Sequence, residues 1–268
     1  MTMDHHDYAA RFLAYRTLAE IRTYGQVVEG SDTYDLLYAE TPGSRILTIT
    51  AGFHGDETAG PLTLLEHLPA VIDHARSRGV GLRIYPCLNP SGFTDGTRYN
   101  RSGEAPNNDL LRYELAPGRW VGELLDDEEF LRFELHRGGP KETRAILADL
   151  ERYPAPQAAL DLHQDPWLEG AVSYAYVFGP RPAYLPLVAA MDAVVPVARN
   201  VMVDDDDEVH SDADGLIELH DGSVTDYFFR RGVPYTAALE TTTQTPLQRS
   251  HEVNLIWIRG FIDLVAES

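Results

Sequence analysis

Four polar residues follow directly on segments of the sequence that read as buried strands. His54 and Glu57 come after one predicted strand, and His163 ends a second. Glu240 ends a third. In an open α/β sheet the ligand crevice lies outside the carboxyl ends of the strands, so we expect these side chains to meet there. Two imidazoles and a carboxylate are the three-ligand set of a catalytic zinc site, with the fourth position left for water. Glu240 is then free to act as a base.

Each of these residues also has an ordinary explanation. A His-x-x-Glu spacing occurs often by chance, and a single His or Glu after a strand is usually a cap or a surface residue. Gly52 and Gly55, on either side of His54, are typical of a tight turn. The zinc interpretation therefore depends on the combination, in which independent strand ends supply complementary parts of one site.

Other catalytic constellations are not supported by the sequence. It has no Gly-x-Ser-x-Gly elbow, and HEVNL at 251–255 has Leu255 where the H-E-x-x-H zinc motif requires its second histidine. Lys141 is the only lysine and does not stand in a Walker A pattern. The single cysteine, Cys87, lies in the apolar segment LRIYPCL and is expected to fill the core.

Apolar periodicity predicts the elements that position these residues. Helices are expected at 6–23, from 58 to a stop at Gly79, in two acidic segments near 120–135 and 140–152, around 183–194, at 223–231 and at 249–265. Strands are expected at 45–50, 81–88, 158–162, 172–178 and 234–240. A polar stretch at 89–118 has little periodicity, and a loop of that length is more often functional than idle. The alternation predicts one α/β domain whose sheet is sandwiched between helices.

Composition limits the possible partners. The chain has 268 residues, 44% hydrophobic and 24% charged, which is ordinary for a globular protein with a large core. No segment approaches the roughly 18 uninterrupted apolar residues of a membrane span, and the N-terminus lacks signal-peptide character, so we expect a cytoplasmic protein. A net charge of −20 argues against nucleic acid and membrane partners. The acidic run 204–208 is expected to be a solvated loop rather than a cation site.

A series of longer motifs runs in one order along the chain. It comprises GFHGDE (52–57), NPSGF (89–93), GTRYNR (96–101), NNDLLR (107–112), DLH (161–163) and DGSVTDYFFRRGVPYTAALET (221–241). The series resembles the zinc metallocarboxypeptidases and their aspartoacylase and succinylglutamate desuccinylase relatives. The resemblance implies a single domain over 1–268, with a mixed, mostly parallel twisted sheet, helices on both faces, and an N-terminal helix within 1–24 packed on it.

The resemblance also implies roles for individual residues. One zinc ion per chain would be held by His54, Glu57 and His163. Glu240 would act as general base and acid. The implied substrate contacts are Arg98 for the oxyanion with Arg101 as second choice, Arg112 for a substrate carboxylate, and Thr225 in the side-chain pocket. For each arginine the alternative is an ion pair that braces a loop or lies on the surface.

Two departures from the family pattern bear on the activity. Leu111 stands where the family usually has the asparagine that helps an arginine hold a carboxylate, so Arg112 would bind alone or in another geometry. Glu218, Leu219 and His220 occupy the region where many carboxypeptidases have a mobile tyrosine.

Three functions from different classes follow from the resemblance. The first is a zinc hydrolase that removes a C-terminal residue from a small peptide or peptide-like amide. The second is a zinc deacylase that releases an amino acid from an N-acyl derivative. A binding module without activity is the least favoured, because all three ligands and the glutamate are present. The sequence determines neither the side-chain preference nor the oligomeric state.

Overall fold

The computed structural model describes residues 3–125, 128–204 and 209–268, which form seven helices and thirteen strands. The helices are α1 (His5–Leu13), α2 (Ala59–Ser77), α3 (Pro90–Asp95), α4 (Lys141–Leu150), α5 (Leu185–Asp192), α6 (Val224–Arg230) and α7 (Leu247–Glu267). The strands are β1 (Glu20–Glu29), β2 (Asp32–Glu40), β3 (Arg45–Ala51), β4 (Val80–Tyr85), β5 (Leu111–Ala116), β6 (Arg119–Val121), β7 (Arg132–Leu135), β8 (Ala158–Asp165), β9 (Ser173–Phe178), β10 (Met202–Asp204), β11 (Val209–His210), β12 (Leu216–Ile217) and β13 (Tyr235–Thr242).

A mixed sheet of eight strands forms the centre of the described structure, in the order β1-β2-β4-β3-β8-β13-β9-β12. The four central strands β4, β3, β8 and β13 run parallel. β1 and β2 form an antiparallel hairpin at one edge, and β9 runs antiparallel to β13. The carboxyl ends of β3, β8 and β13 therefore meet at the same edge of the sheet. The predicted fold class, a mixed and mostly parallel sheet in one α/β domain, is confirmed.

Helices cover both faces of the sheet because apolar side chains point to each side. Leu160 and Leu162 of β8 belong to the larger hydrophobic cluster, to which α2 and α7 contribute. Ala159 belongs to the smaller cluster, which includes residues of α4 and α6. Side chains alternate along a strand, so Asp161 and His163 project to the same face as Ala159. Packing of the core thus decides the direction of the His163 imidazole.

Three parts of the predicted secondary structure are corrected. The helix expected at 6–23 ends at Leu13, and residues 20–29 form β1, which pairs with β2. The helix expected at 120–135 is replaced by β6 and β7, which pair on either side of β5 in a small antiparallel sheet. The stretch 89–118 contains α3 and β5. In both mistaken helices, pairing with another strand overrides a local periodicity that favoured a helix.

The predictions about membrane spans and about the acidic run 204–208 concern the surface and the location of the protein. No helix among the described residues is long and apolar enough to cross a bilayer. Residues 205–208 of the acidic run lie outside the described residues, so its interpretation as a solvated loop stays a prediction, as does the cytoplasmic location.

Candidate active site

The three expected metal ligands meet at the carboxyl ends of β3 and β8. Donor atoms of His54, Glu57 and His163 all lie within 4.8 Å of one another, and all three residues are buried. Zinc binds nitrogen and oxygen donors at about 2 Å in a tetrahedron. A single ion of this kind can therefore reach all three side chains.

Two glycines shape the loop that carries the first two ligands. Gly52 has a φ of 72°, a conformation that an L side chain rarely adopts. Gly55 packs so closely on α3 that a Cβ atom would lie 2.0 Å from the carbonyl carbon of Gly92. The tight turn and the ligand site are thus one feature, because this turn places His54 and Glu57 at the end of β3.

The NPSGF turn connects the ligand loop to Arg98. The backbone N–H of Asn89 donates to the Gly52 carbonyl at 2.7 Å, and its side-chain amide donates to the Arg98 carbonyl at 3.2 Å. The N–H of Gly55 donates to the same carbonyl at 3.3 Å. The Arg98 guanidinium then donates to Glu57 Oε1 at 2.7 Å. The expected oxyanion arginine therefore lies directly at the candidate metal centre.

Two carboxylates hold the imidazole of His163. Its Nδ1 lies 2.7 Å from Glu57 Oε2, and its Nε2 lies 2.6 Å from Asp161 Oδ2. Asp161 is itself fixed by Thr50, whose hydroxyl donates to Oδ1 at 2.7 Å. A carboxylate on the far nitrogen of a ligating histidine orients the ring and raises its basicity. Asp161 was not predicted as a site residue. The DLH motif nevertheless places it two residues before His163, on the same face of the strand.

Asp161→Asn should weaken zinc binding while preserving the shape of the site. Loss of an outer carboxylate of this kind typically costs 10–100-fold, so we expect roughly that decrease in affinity. Competition with a chromogenic chelator measures it. Thr50→Val is the matched control, since it removes only the hydrogen bond behind Asp161 and should cost less. An unchanged affinity in Asp161→Asn would show that the carboxylate does not act through His163.

The protonation states of the first two ligands suit a metal ion. Burial lowers the pKa of His54 to about 4, so its ring is neutral at pH 7, and its buried Nδ1 has no hydrogen-bond partner among the described residues. Burial opposes ionisation of Glu57, but the neighbouring His54, His163 and Arg98 lower its pKa to about 2. A neutral imidazole and an ionised carboxylate are the forms that bind metals. The donor set therefore fits zinc.

His163 is held differently before a metal binds. Its burial favours the neutral ring, but Asp161 and Glu57 together raise the pKa of His163 well above its usual value. A metal ligand must be deprotonated at the donor atom. Binding of a metal ion would therefore displace a proton from this ring.

Glu240 lies beside His163 on the neighbouring strand. The two residues are in register across the parallel pair β8 and β13, and adjacent strands are about 4.8 Å apart. In the described part of the chain, Glu240 falls outside the group of mutually close donors, and its Oε2 has no hydrogen-bond partner. Burial, with Glu57 and Asp165 nearby, raises the pKa of Glu240 well above its ordinary value. An unpaired carboxylate next to the ligands is the arrangement expected of a base.

One cavity of about 160 Å³ brings these groups together. Arg98 and Thr225 also line it, as the resemblance implied. Thr225 lies buried on α6, and its hydroxyl has no partner among the described residues. Tyr174 and Tyr176 of β9 complete the wall beside Glu240, and burial raises the pKa of both phenols well above 10, so they remain neutral donors.

Two arginines expected at the substrate lie elsewhere, and their implied roles are corrected. Arg101 donates to Asp95 at 2.7 Å and to Asp32 at 2.5 Å, so it is an ion pair that braces loops. Arg112 is exposed on β5, because Leu111 beside it points into the core and side chains alternate along the strand. Neither residue lines the described cavity.

The NNDLLR motif reaches the cavity through its asparagines instead. Asn107 and Asn108 both line the cavity. Asn107 has a φ of 134°, an unusual value for a non-glycine residue. Its amide nitrogen lies 3.4 Å from His163 Nε2, and its carbonyl accepts from the Val224 N–H at 3.2 Å. The NNDLLR motif therefore lies at the cavity through its asparagines and not through Arg112.

Comparison with models of protein families identifies the family of this chain. The succinylglutamate desuccinylase/aspartoacylase catalytic domain matches residues 43–180, which include His54, Glu57 and His163. The chain belongs to this family. No curated protein matches it.

The family model covers only residues 43–180, whereas solved structures match this desuccinylase/aspartoacylase family member over nearly its whole length. A candidate metallopeptidase from Shewanella amazonensis shares 24% identity with a TM-score of 0.74, over 99% of this chain and 94% of the other. A metallo-carboxypeptidase from Burkholderia cenocepacia shares 17% identity with a TM-score of 0.63, over 96% of this chain and 68% of the other. Bovine thrombin-activatable fibrinolysis inhibitor, solved in complex with tick carboxypeptidase inhibitor, shares 15% identity with a TM-score of 0.67. The match covers 100% of this chain and 98% of the other. The family member thus has a carboxypeptidase-like fold.

Proposed function

We propose that this chain is a zinc-dependent hydrolase that cleaves a C-terminal peptide or peptide-like amide bond in a small substrate, with water as the nucleophile. The observation that carries the proposal is the register of β8 and β13, which places Glu240 beside His163. Three metal donors with a separate carboxylate alongside suit hydrolysis by a general base. A binding module without activity would have no use for that carboxylate.

Each of the cavity residues has its own role in the proposed reaction. His54, Glu57 and His163 would hold the zinc ion, which would supply a Lewis acid for the substrate carbonyl and lower the pKa of bound water to about 7. Glu240 takes the proton of the attacking water and returns it to the leaving amine. Burial raises the pKa of Glu240, which makes it a stronger base towards the water proton than an ordinary carboxylate. Arg98 donates hydrogen bonds to the oxyanion as charge develops there.

The size and charge of the cavity favour a compact substrate with few negative charges. A volume of about 160 Å³ is below the roughly 300–1,000 Å³ of sites for drug-sized ligands. Arg98 is the single arginine among the described lining residues, whereas the lining carboxylates are Glu57, Glu123, Asp165, Asp221 and Glu240. A substrate with one carboxylate can pair with Arg98, but one with several would be repelled.

Deacylation of an N-acyl amino acid is the second candidate. The family match and the small cavity favour it. The same glutamate and metal ligands would serve either reaction, since both cleave an amide bond. The two differ in the group on the acyl side of that bond, which is a peptide residue in the first reaction and a simple acyl group in the second.

Hydrolysis of two matched substrate panels tests the proposal. The zinc-loaded protein is assayed on dipeptides blocked at the N-terminus and on N-acyl amino acids, with chelator-treated protein as the control. We expect zinc-dependent turnover on the first panel. Turnover on the second panel alone would assign the protein as a deacylase, and no turnover on either would contradict hydrolysis of small amides.

Arg98→Ala should reduce kcat by roughly 10²–10³, the usual cost of removing one oxyanion donor. Arg101→Ala is the matched control, because it removes a nearby arginine that pairs with Asp95 and Asp32 outside the cavity. Steady-state kinetics at equal zinc content measure both variants, since Arg98 also contacts Glu57. Equal losses in the two variants would remove Arg98 from the reaction.

A further inference from the structure

A second group of potential metal ligands lies between α2 and α7. Glu66 and His67 are on α2 and His251 is on α7, and their donor atoms all lie within 4.8 Å of one another. We name these three residues the α2–α7 histidine cluster. The HEVNL segment, which lacks a second histidine on its own helix, thus places His251 next to a histidine from another helix.

Two distances within the cluster are close to those of donors around a shared cation. His67 Nε2 lies 3.4 Å from His251 Nδ1, with the two rings at 84°. Glu66 Oε2 lies 3.7 Å from the same nitrogen. Donor–acceptor distances in hydrogen bonds from nitrogen are usually about 2.7–3.2 Å. Two donors of one tetrahedral zinc ion, bound at about 2.0–2.2 Å, lie about 3.3–3.6 Å apart.

Burial and protonation leave His251 ready to bind a metal. Its side chain is only 2% exposed, and its Nε2 has no partner in the described part of the chain. With the ring proton on Nε2, the lone pair of Nδ1 points into the cluster. Burial lowers the pKa of His251, which favours the neutral ring that binds metals. Glu66 supplies a negative charge, and because it is 45% exposed, an ion can enter from solvent.

Another histidine of α2 shows what an ordinary contact to α7 is like. His74 Nε2 lies 3.2 Å from Asp263 Oδ1, which satisfies the ring with a single carboxylate. The histidine cluster differs because it turns two imidazole nitrogens and a carboxylate towards one point. His74 therefore provides a matched control.

We propose that the α2–α7 histidine cluster is a second metal site, for a divalent cation such as Zn²⁺ that accepts imidazole and carboxylate ligands. The bound ion joins α2 to α7. Because α2 begins two residues after Glu57, the ion also braces the helix that follows the catalytic ligand loop. With the catalytic ion, the zinc content rises from one to two per chain.

Zinc binding by the metal-free full chain tests the site. Zinc chloride is added after chelator treatment, and bound zinc per chain is measured by equilibrium dialysis and elemental analysis. We expect two ions in the parent, one in His67→Gln and two in His74→Gln. His67 is the residue to replace, because it is only partly buried and its loss leaves the core intact. Equal zinc binding by the parent and His67→Gln, or by the two variants, would overturn the proposal.

Cobalt distinguishes the cluster from the catalytic site. In His163→Ala, which removes a catalytic ligand, we expect one Co²⁺ per chain with the visible absorption of a four-coordinate ion. Adding His67→Gln should abolish that signal, and a chain that binds no Co²⁺ in the His163→Ala background would contradict the site. His67→Gln alone should hydrolyse substrate at the parent rate, because His67 does not line the catalytic cavity. Failure of the cluster and failure of the proposed hydrolysis are thus separate results.

Discussion

Glu240→Gln should keep its zinc and lose turnover by roughly 10²–10⁴, the usual contribution of a positioned proton-transfer group. Glutamine preserves the shape and one acceptor oxygen but cannot take a proton from water at neutral pH. Substrate binding should change much less, because the carboxylate acts mainly in the transition state. Metal content, binding of a slow substrate and kcat, measured on one preparation, check all three expectations.

The Glu240 prediction has a control variant and two results that would contradict it. Glu218→Gln removes an exposed carboxylate that does not line the catalytic cavity, and its turnover should equal that of the parent. Loss of the catalytic zinc in Glu240→Gln would make Glu240 a ligand. Unchanged turnover would remove it from the mechanism.

His163→Ala should abolish zinc binding at the catalytic site and reduce hydrolysis to background. His163 is one of three donors, and its loss also leaves Glu57 and Asp161 without the imidazole between them. The fold should persist because His163 lies near the carboxyl end of β8, beyond the apolar residues of that strand. Elemental analysis should show one zinc fewer per chain than in the parent.

The folded state of the histidine variant needs a check of its own. Two buried carboxylates that lose a positive partner are destabilising, so thermal unfolding should accompany the metal analysis. His54→Ala is the gentler companion, because the Nδ1 of His54 has no hydrogen-bond partner among the described residues. It should lose the same zinc with less effect on unfolding. Full metal occupancy in both folded variants would exclude these residues as ligands.

The sequence placed residues of the candidate site at the correct edge of the sheet, because strand ends determine where such side chains emerge. A buried strand followed by a polar residue indicates both the element and the edge of the sheet at which the side chain emerges. His54, His163 and Glu240 were found in this way, and parallel pairing then brings them together. Arg98 and Thr225 could be placed only by resemblance to a known family, because neither lies at a strand end.

What the sequence did not predict depends on pairing between distant segments. Arg112 was expected at the substrate, but β5 joins a small sheet with β6 and β7, and alternation turns Arg112 outward. The hairpin of β1 and β2 was missed for a similar reason, since its strands show no clear alternation without their partners. His67 and His251 are 184 residues apart, and only the packing of α2 on α7 joins them.

Whether His54, Glu57 and His163 hold zinc while Glu240 stays unbound is tested most directly by anomalous diffraction at the zinc edge from crystals of the zinc-loaded protein. We predict an anomalous peak about 2 Å from one donor atom of each of the three ligands. The Glu240 carboxylate should lie beside the ion without binding it. The absence of a peak among the three residues, or a peak with Glu240 as a fourth protein ligand, would contradict the proposed catalytic centre.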